Sequence, residues 1–168
     1  RLATALIYGI TSETQNLWRE TGSRDVAAYR AFIPKASLNI LSKIQNPSRP
    51  SSFFKTLRKA IHNAFVVGRV IGVHLGAAPS QEVVAHMADF LLSHEKMRWS
   101  IVTGRFQDSL YVSLRTQDRR AQAGKLLWRL LGSGTSAGGH AMIAGGSIPI
   151  EKIDDEMAWS TAEKEVTL

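Results

Sequence analysis

The spacing of apolar residues changes near residue 64, and that change most constrains the fold. Before it, apolar positions recur at helical spacing; after it, they alternate in short runs. Residues 1–10 are apolar and fit either a buried helix or a strand, and 11–17 ("TSETQNL") reads as a loop. Ser23 opens a helix over 23–33 that Pro34 interrupts, and a second helix over 36–46 ends at Asn46-Pro47. The Pro/Ser-rich "NPSRPSS" is the best linker in the chain. A basic helix follows over 53–65, with Phe54, Leu57 and Ile61 at core spacing and Lys55, Arg58, Lys59 and His62 mostly elsewhere.

From residue 65 the reading is mixed. "FVVGRVIGVHLG" (65–76) gives two short strands around Gly68-Arg69. Residues 79–95 form an amphipathic helix with Val83, Val84, Met87, Phe90 and Leu91 on one stripe. "RWSIVTG" and "SLYVSLRT" are strands joined by "RFQD"; in the second, Leu110, Val112 and Leu114 face one way and Tyr111, Ser113 and Arg115 the other. A helix over 119–132 puts Ala123, Leu127, Leu130 and Leu131 on its core face; a Gly-rich loop and a final short strand, "GGSIPI", follow. The expected fold is α/β: a small mixed β-sheet covered by helices over 64–150, preceded by a helical connector over 23–63. The acidic stretch 151–168 is a tail or docking helix, and no internal repeat is visible.

Composition excludes several chemistries. The absence of cysteine removes disulfides, thiol catalysis and thiolate metal sites, and no apolar run is long enough for a membrane span. Both fit a cytoplasmic protein that does not enter membranes. The opening "RLATALIYGI" has neither an initiator Met nor a secretory pattern, and reads as part of a longer chain. The net charge of +7 is uneven: residues 14–69 carry +8 and residues 151–168 carry −4. The basic stretch suits phosphates or nucleic acid, or else is ordinary solvated helix surface.

The segment "GTSAGGHAMIAGG" (134–146) carries the most specific chemistry. Gly134 and Gly139 have P-loop spacing, but His140 stands where Lys is required and the segment follows a helix, not a strand. Gly132–Ala137 matches G-x-G-x-x-A without the preceding strand, and Gly134–Gly138 matches G-x-S-x-G outside a strand–turn–helix elbow. Two readings survive. Successive glycines let backbone N–H groups form an anion-binding nest, with His140 as a directional donor. Alternatively, the segment is a tight helix-to-strand crossover capped by His140.

"SAGGHAMIAGG" resembles the G-G-H-x-x-x-A-G-G signature of the domain associated with DHH-superfamily phosphoesterases. These include RecJ-like exonucleases, nanoRNases and exopolyphosphatase-related proteins. "DSLYVSLRT" resembles the strand preceding that signature, and the order of elements over about 80–150 follows the family. "ATALIYGITSETQNL" resembles the end of the catalytic DHH domain, so 1–22 is expected to be the tail of that domain. The resemblance implies a metal-dependent phosphoesterase, with divalent metals, usually manganese, held by Asp and His of the catalytic domain. This chain has no Asp-His-His, and Ser12-Glu13-Thr14 places Glu13 where the family has its last Asp ligand. Glu13 is therefore a metal-ligand candidate or simply exposed. The fragment alone is expected to be inactive and to hold the substrate.

The substrate-binding candidates are Arg115, whose fork of donors suits a phosphate, together with Gly138, Gly139, His140, Gly145 and Gly146. Gly145 and Gly146 would let the chain turn tightly under the ligand. Arg115 could instead form a salt bridge, for example with Asp118. The expected partner is a phosphate-bearing substrate: a nucleotide, a short oligonucleotide or nucleic-acid end, or polyphosphate. Single-stranded nucleic acid and a homodimer are further possibilities. A non-catalytic nucleotide or nucleic-acid sensing module and a purely structural domain are the alternatives. His62, His74 and His86 are weaker candidates, and His94-Glu95 lacks the second His of H-E-x-x-H because Arg98 occupies that position. Trp99, Trp128 and Trp159 could stack on bases but more often pack.

Overall fold

The computed structural model describes residues 1–18, 21–132 and 136–149, so the acidic stretch 151–168 and Trp159 lie outside the described residues. The chain divides into two compact units, Arg1–Arg49 and Pro50–Leu168. The division falls inside "NPSRPSS".

The first unit is helical. Its apolar start is a helix, α1 (Leu2–Glu13), which absorbs the beginning of the expected 11–17 loop. It is followed by α2 (Ser23–Phe32), a 3-10 turn at Ile33–Lys35 and α3 (Leu38–Gln45). Gly22, not Ser23, is the N-cap of α2: Asp25 accepts from the Gly22 backbone N–H at 2.8 Å. Ile7 and Leu41 are buried, and threonines tie the helices together. Thr4 accepts from the Ser37 N–H at 2.9 Å, and Gln45 donates to the Thr11 hydroxyl at 3.0 Å.

The second unit opens with α4 (Ser51–Asn63), which packs on the sheet. The helical stretch 23–63 is therefore not one connector; α2 and α3 belong to one unit and α4 to the other. The buried side of α4 also differs from expectation. Thr56 and Ala60 are buried and Phe53, Leu57 and Ala64 pack on the core, while Phe54 and Ile61 are each 58% exposed. Small residues let α4 lie close to the sheet, and its basic residues stand opposite the buried face.

After α4 come β1 (Phe65–Val67), β2 (Val70–Ala77), α5 (Gln81–Leu92), β3 (Trp99–Phe106), β4 (Ser109–Thr116), α6 (Ala123–Leu131), β5 (Ser136–Gly139) and β6 (Ile143–Pro149). The sheet order is β1-β2-β3-β4-β6-β5. Only β2 and β3 run parallel, joined by the α5 crossover; the other pairs are antiparallel. The fold is α/β with a mixed sheet. One face buries Ile71, Val73, Leu75 and Val102 under α4 and α5. The other buries Leu110, Val112, Leu114 and Ala144 under Ala123 and Leu127 of α6.

Three boundaries differ from the sequence reading. Helix α6 starts at Ala123, not 119, because Gln122 takes a left-handed φ of 52°. The short helix leaves Leu130 48% exposed, although it stood on the expected core face. Phe90 of α5 is likewise 47% exposed. Finally, among the described residues of the glycine-rich segment, 136–139 and 143–149 are paired strands and 140–142 turn between them, in place of the expected loop.

Candidate functional site

The two helical layers cover the sheet unequally. On the α5 face, the helix packs mainly on β3 and β4, and among the described residues no helix packs comparably on that face of β6 and β5. Register then decides what is displayed. Tyr111, Ser147 and Ser136 form one cross-strand row, and Ser113, Gly145 and Gly138 the next. Small side chains over two rows leave a concavity of about 400 Å³ beside the α5 N-terminus, lined by Tyr111, Ser113, Ser136, Gly145, Ser147 and Glu82 among others. Its volume suits a phosphate-bearing group. Tyr111, Ser113 and Ser147 were not singled out as site residues by sequence; their place on the polar face of alternating strands was the available signal.

The four glycines of the signature divide into two kinds. A Cβ on Gly138 would meet nothing within 4 Å, and one on Gly145 only the Val112 carbonyl at 3.9 Å, so both open onto free space. The other two face α6. A Cβ on Gly146 would lie 2.6 Å from Leu131 Cδ1 and 2.8 Å from the Ser136 carbonyl. One on Gly139 would collide with the Ile143 carbonyl and lie 2.6 Å from Ala144 Cα, at a φ of +154° that favours glycine. Gly145 and Gly146 lie within β6 and make no turn, which corrects the expected tight bend beneath a ligand.

His140 heads the hairpin turn and is exposed. Its N–H donates to the Ile143 carbonyl at 2.8 Å, while its carbonyl and that of Ala141 accept from the Gly124 and Ala123 N–H groups at 3.1 and 2.9 Å. The turn therefore caps α6 with backbone carbonyls. This fixes the turn and leaves the His140 imidazole on its surface, with the N-terminus of α6 already occupied.

Arg115 stands on the α5 face opposite Ile143, one row beyond Ser113. It is buried, 6% exposed. Its Nε donates to Asp89 Oδ1 of α5 at 2.9 Å, and its Nη1 donates to the carbonyls of Leu114 and Ala144 at 3.1 and 3.0 Å. The acid partner is thus Asp89, not Asp118, whose Oδ1 accepts from the Arg120 N–H at 2.9 Å. Arg115 ties α5 to β4 and β6 at the hairpin end of the strip.

Glu82 brings the one carboxylate at the strip. A hydrogen bond from Ser80, then one from its own backbone N–H, holds its carboxyl below the ordinary value. The α5 N-terminus is thereby shared with a resident anion, and the other polar groups lining the concavity include the hydroxyls of Tyr111, Ser113, Ser136 and Ser147.

The remaining sequence candidates disperse. Glu13 is exposed at the end of α1 in the first unit. Among the described residues no three His, Asp or Glu side chains gather as a metal site. His74 lies 2.7 Å from Thr103 Oγ1 and beside Phe65, His86 sits edge-on to Phe53, and His94 Nδ1 is 2.9 Å from the Glu95 carbonyl. Trp99 packs on the α6-side core, whereas Trp128 is 59% exposed. No described helix is long and apolar enough to cross a membrane.

Among the described residues, a mixed sheet with two helices on one face, a third helix on the other and a concavity at Gly145 defines an α/β module. The DHHA1 domain family matches residues 62–159, and the chain belongs to that family. It carries the DHH-superfamily C-terminal associated domain. An uncharacterized protein of Methanocaldococcus jannaschii is 34% identical over 150 residues, covering 89% of this chain. The chain spans 30% of that relative's length. An exopolyphosphatase-related protein from Bacteroides fragilis shares the fold with a TM-score of 0.65 at 12% identity, over 94% of this chain and 47% of that one. A pGpG-specific phosphodiesterase from Vibrio gives a TM-score of 0.43 at 16% identity, over 85% of this chain and 50% of that one.

Proposed function

We propose that the second unit holds the phosphate-bearing end of a substrate whose phosphoester bond is cleaved by a DHH catalytic domain of a longer protein. The observation that carries this reading is the concavity at Gly145, lined by strand hydroxyls, with the open Gly138 paired to Gly145 in the next strand. Open glycines admit a tetrahedral anion against the backbone, and Ser113, Ser147, Tyr111 and His140 supply donors. Arg115 is a positioning residue that keeps β6 and α5 in place around the strip. The substrate class is a nucleotide, a short oligonucleotide or nucleic-acid end, or polyphosphate. A divalent metal, manganese in this reading, would be held mainly by the catalytic domain of the longer protein, with Glu13 as a candidate ligand from this chain. This chain alone is expected to bind without turning over.

A specific observation favours nucleic acid as a further partner. Residues 26–81 contain no acidic side chain, and Lys55, Arg58, Lys59 and His62 line one concavity of about 500 Å³ along α4. Lys59 Nζ and Arg105 Nη2 both come within 3.2 Å of where a Gly76 Cβ would stand. A row of cations on one helix face tracks a phosphate backbone.

The test is calorimetric titration with inorganic tripolyphosphate. Gly145→Val places a branched side chain in the strip, its Cβ in ordinary contact with the Val112 carbonyl at 3.9 Å, and should abolish binding while leaving the melting temperature unchanged. His140→Ala should weaken binding about tenfold, as expected for losing one charge-assisted hydrogen bond. Full affinity in Gly145→Val would refute the reading.

A further inference from the structure

Trp128 is exposed although α6 buries Ala123 and Leu127 completely, so the helix docks without it. Lys125 lies about one turn before Trp128 and Arg129 directly after it, and the three side chains form one wall of a groove of about 410 Å³. The opposite wall is Ala137, Gly138 and Gly139 of β5, the edge strand among the described residues. No acidic residue is among the described residues lining it. An indole face flanked by two cations is the composition that holds a nucleobase and its neighbouring phosphate. The groove and the bare strip lie on opposite sides of β5, and Gly138, which contributes to the groove, pairs with Gly145 of the strip. They open on opposite faces of the sheet, and β5 is an edge strand among the described residues, so a single strand that rounds its edge reaches both.

We propose that this groove takes a base of a single-stranded oligonucleotide, stacked on Trp128, while a phosphate further along the strand lies in the Gly138–Gly145 strip. The inference rests on the phosphate reading of that strip and narrows its substrate class to a chain that carries bases. Lys125 and Arg129 neutralise the next phosphate along the chain. Inorganic polyphosphate can use the strip but gains nothing from Trp128.

The experiment compares a short oligothymidylate with inorganic tripolyphosphate, both titrated into the 168-residue chain. Trp128→Ala should weaken the oligonucleotide about five- to a hundredfold, the range for one stacked base, and leave tripolyphosphate affinity and the melting temperature unchanged. Trp128→Phe should retain most of the oligonucleotide affinity. Unchanged oligonucleotide affinity in Trp128→Ala overturns the proposal, as does an equal loss for both ligands. Sedimentation serves as a further arm: a change of oligomeric state with unchanged affinity assigns Trp128 to a second copy of the chain and also overturns it. If tripolyphosphate never binds while oligonucleotide binding still depends on Trp128, the strip reading falls and the groove stands.

Discussion

Arg115→Ala separates holding the fold from holding the ligand. The wild-type guanidinium makes one charged bond to Asp89 at 2.9 Å and two to main-chain carbonyls at 3.1 and 3.0 Å. Removing one member of a fully buried ion pair costs about 3–5 kcal/mol, because the other charge is left without a partner. The Asp89 side chain is 37% exposed, so water takes over part of the interaction. The lost bonds then amount to about 2–3 kcal/mol. At about 3 °C per kcal/mol for a chain of this size, the melting temperature should fall by about 6–9 °C. Calorimetric melts of Arg115→Ala, Asp89→Ala and the double variant check this. The double variant should be less destabilised than the sum of the singles, since both remove the same contact. Tripolyphosphate affinity, measured well below the melting temperature, should fall only modestly. A variant that melts like wild type yet loses tripolyphosphate binding would show that Arg115 grips the phosphate itself.

Gly139→Ala should destabilise the second unit by at least about 2 kcal/mol, since its Cβ meets main-chain atoms of Ile143 and Ala144 at a φ that favours glycine; Gly138→Ala should melt like wild type. Glu82→Gln removes an exposed like charge at the strip and should strengthen tripolyphosphate binding about two- to fivefold. Because the folded Glu82 carboxyl lies below its ordinary value, the wild type should show the same gain only as pH falls through that lowered value. Reversing Lys55, Arg58 and Lys59 to Glu should flatten the salt dependence of oligonucleotide binding, and an unchanged slope would return α4 to ordinary surface. The chain alone should not hydrolyse bis-p-nitrophenyl phosphate with manganese; turnover abolished by a change within 80–146 would contradict the division of labour.

The period of the apolar residues was enough to place most helices and strands of the second unit, because alternation and helical spacing are local consequences of which side chains must face a core. Leu110, Val112 and Leu114 lie on one face as their spacing required. The Gly-Gly-His signature and its context were enough to place the family. Local spacing could not say which of two plausible faces a helix buries: α4 turned Ala60 and Thr56 inward rather than Phe54 and Ile61, because small residues allow the closer approach to the sheet. Nor could it pair strands. Only the register of β4, β6 and β5 revealed that Gly138 and Gly145 open the strip while Gly139 and Gly146 make room beneath α6. Arg115 found Asp89, 26 positions away in sequence, because a parallel crossover brought α5 over β4. A buried charge takes the partner that the packed fold sets beside it, and nearness along the chain does not determine that choice.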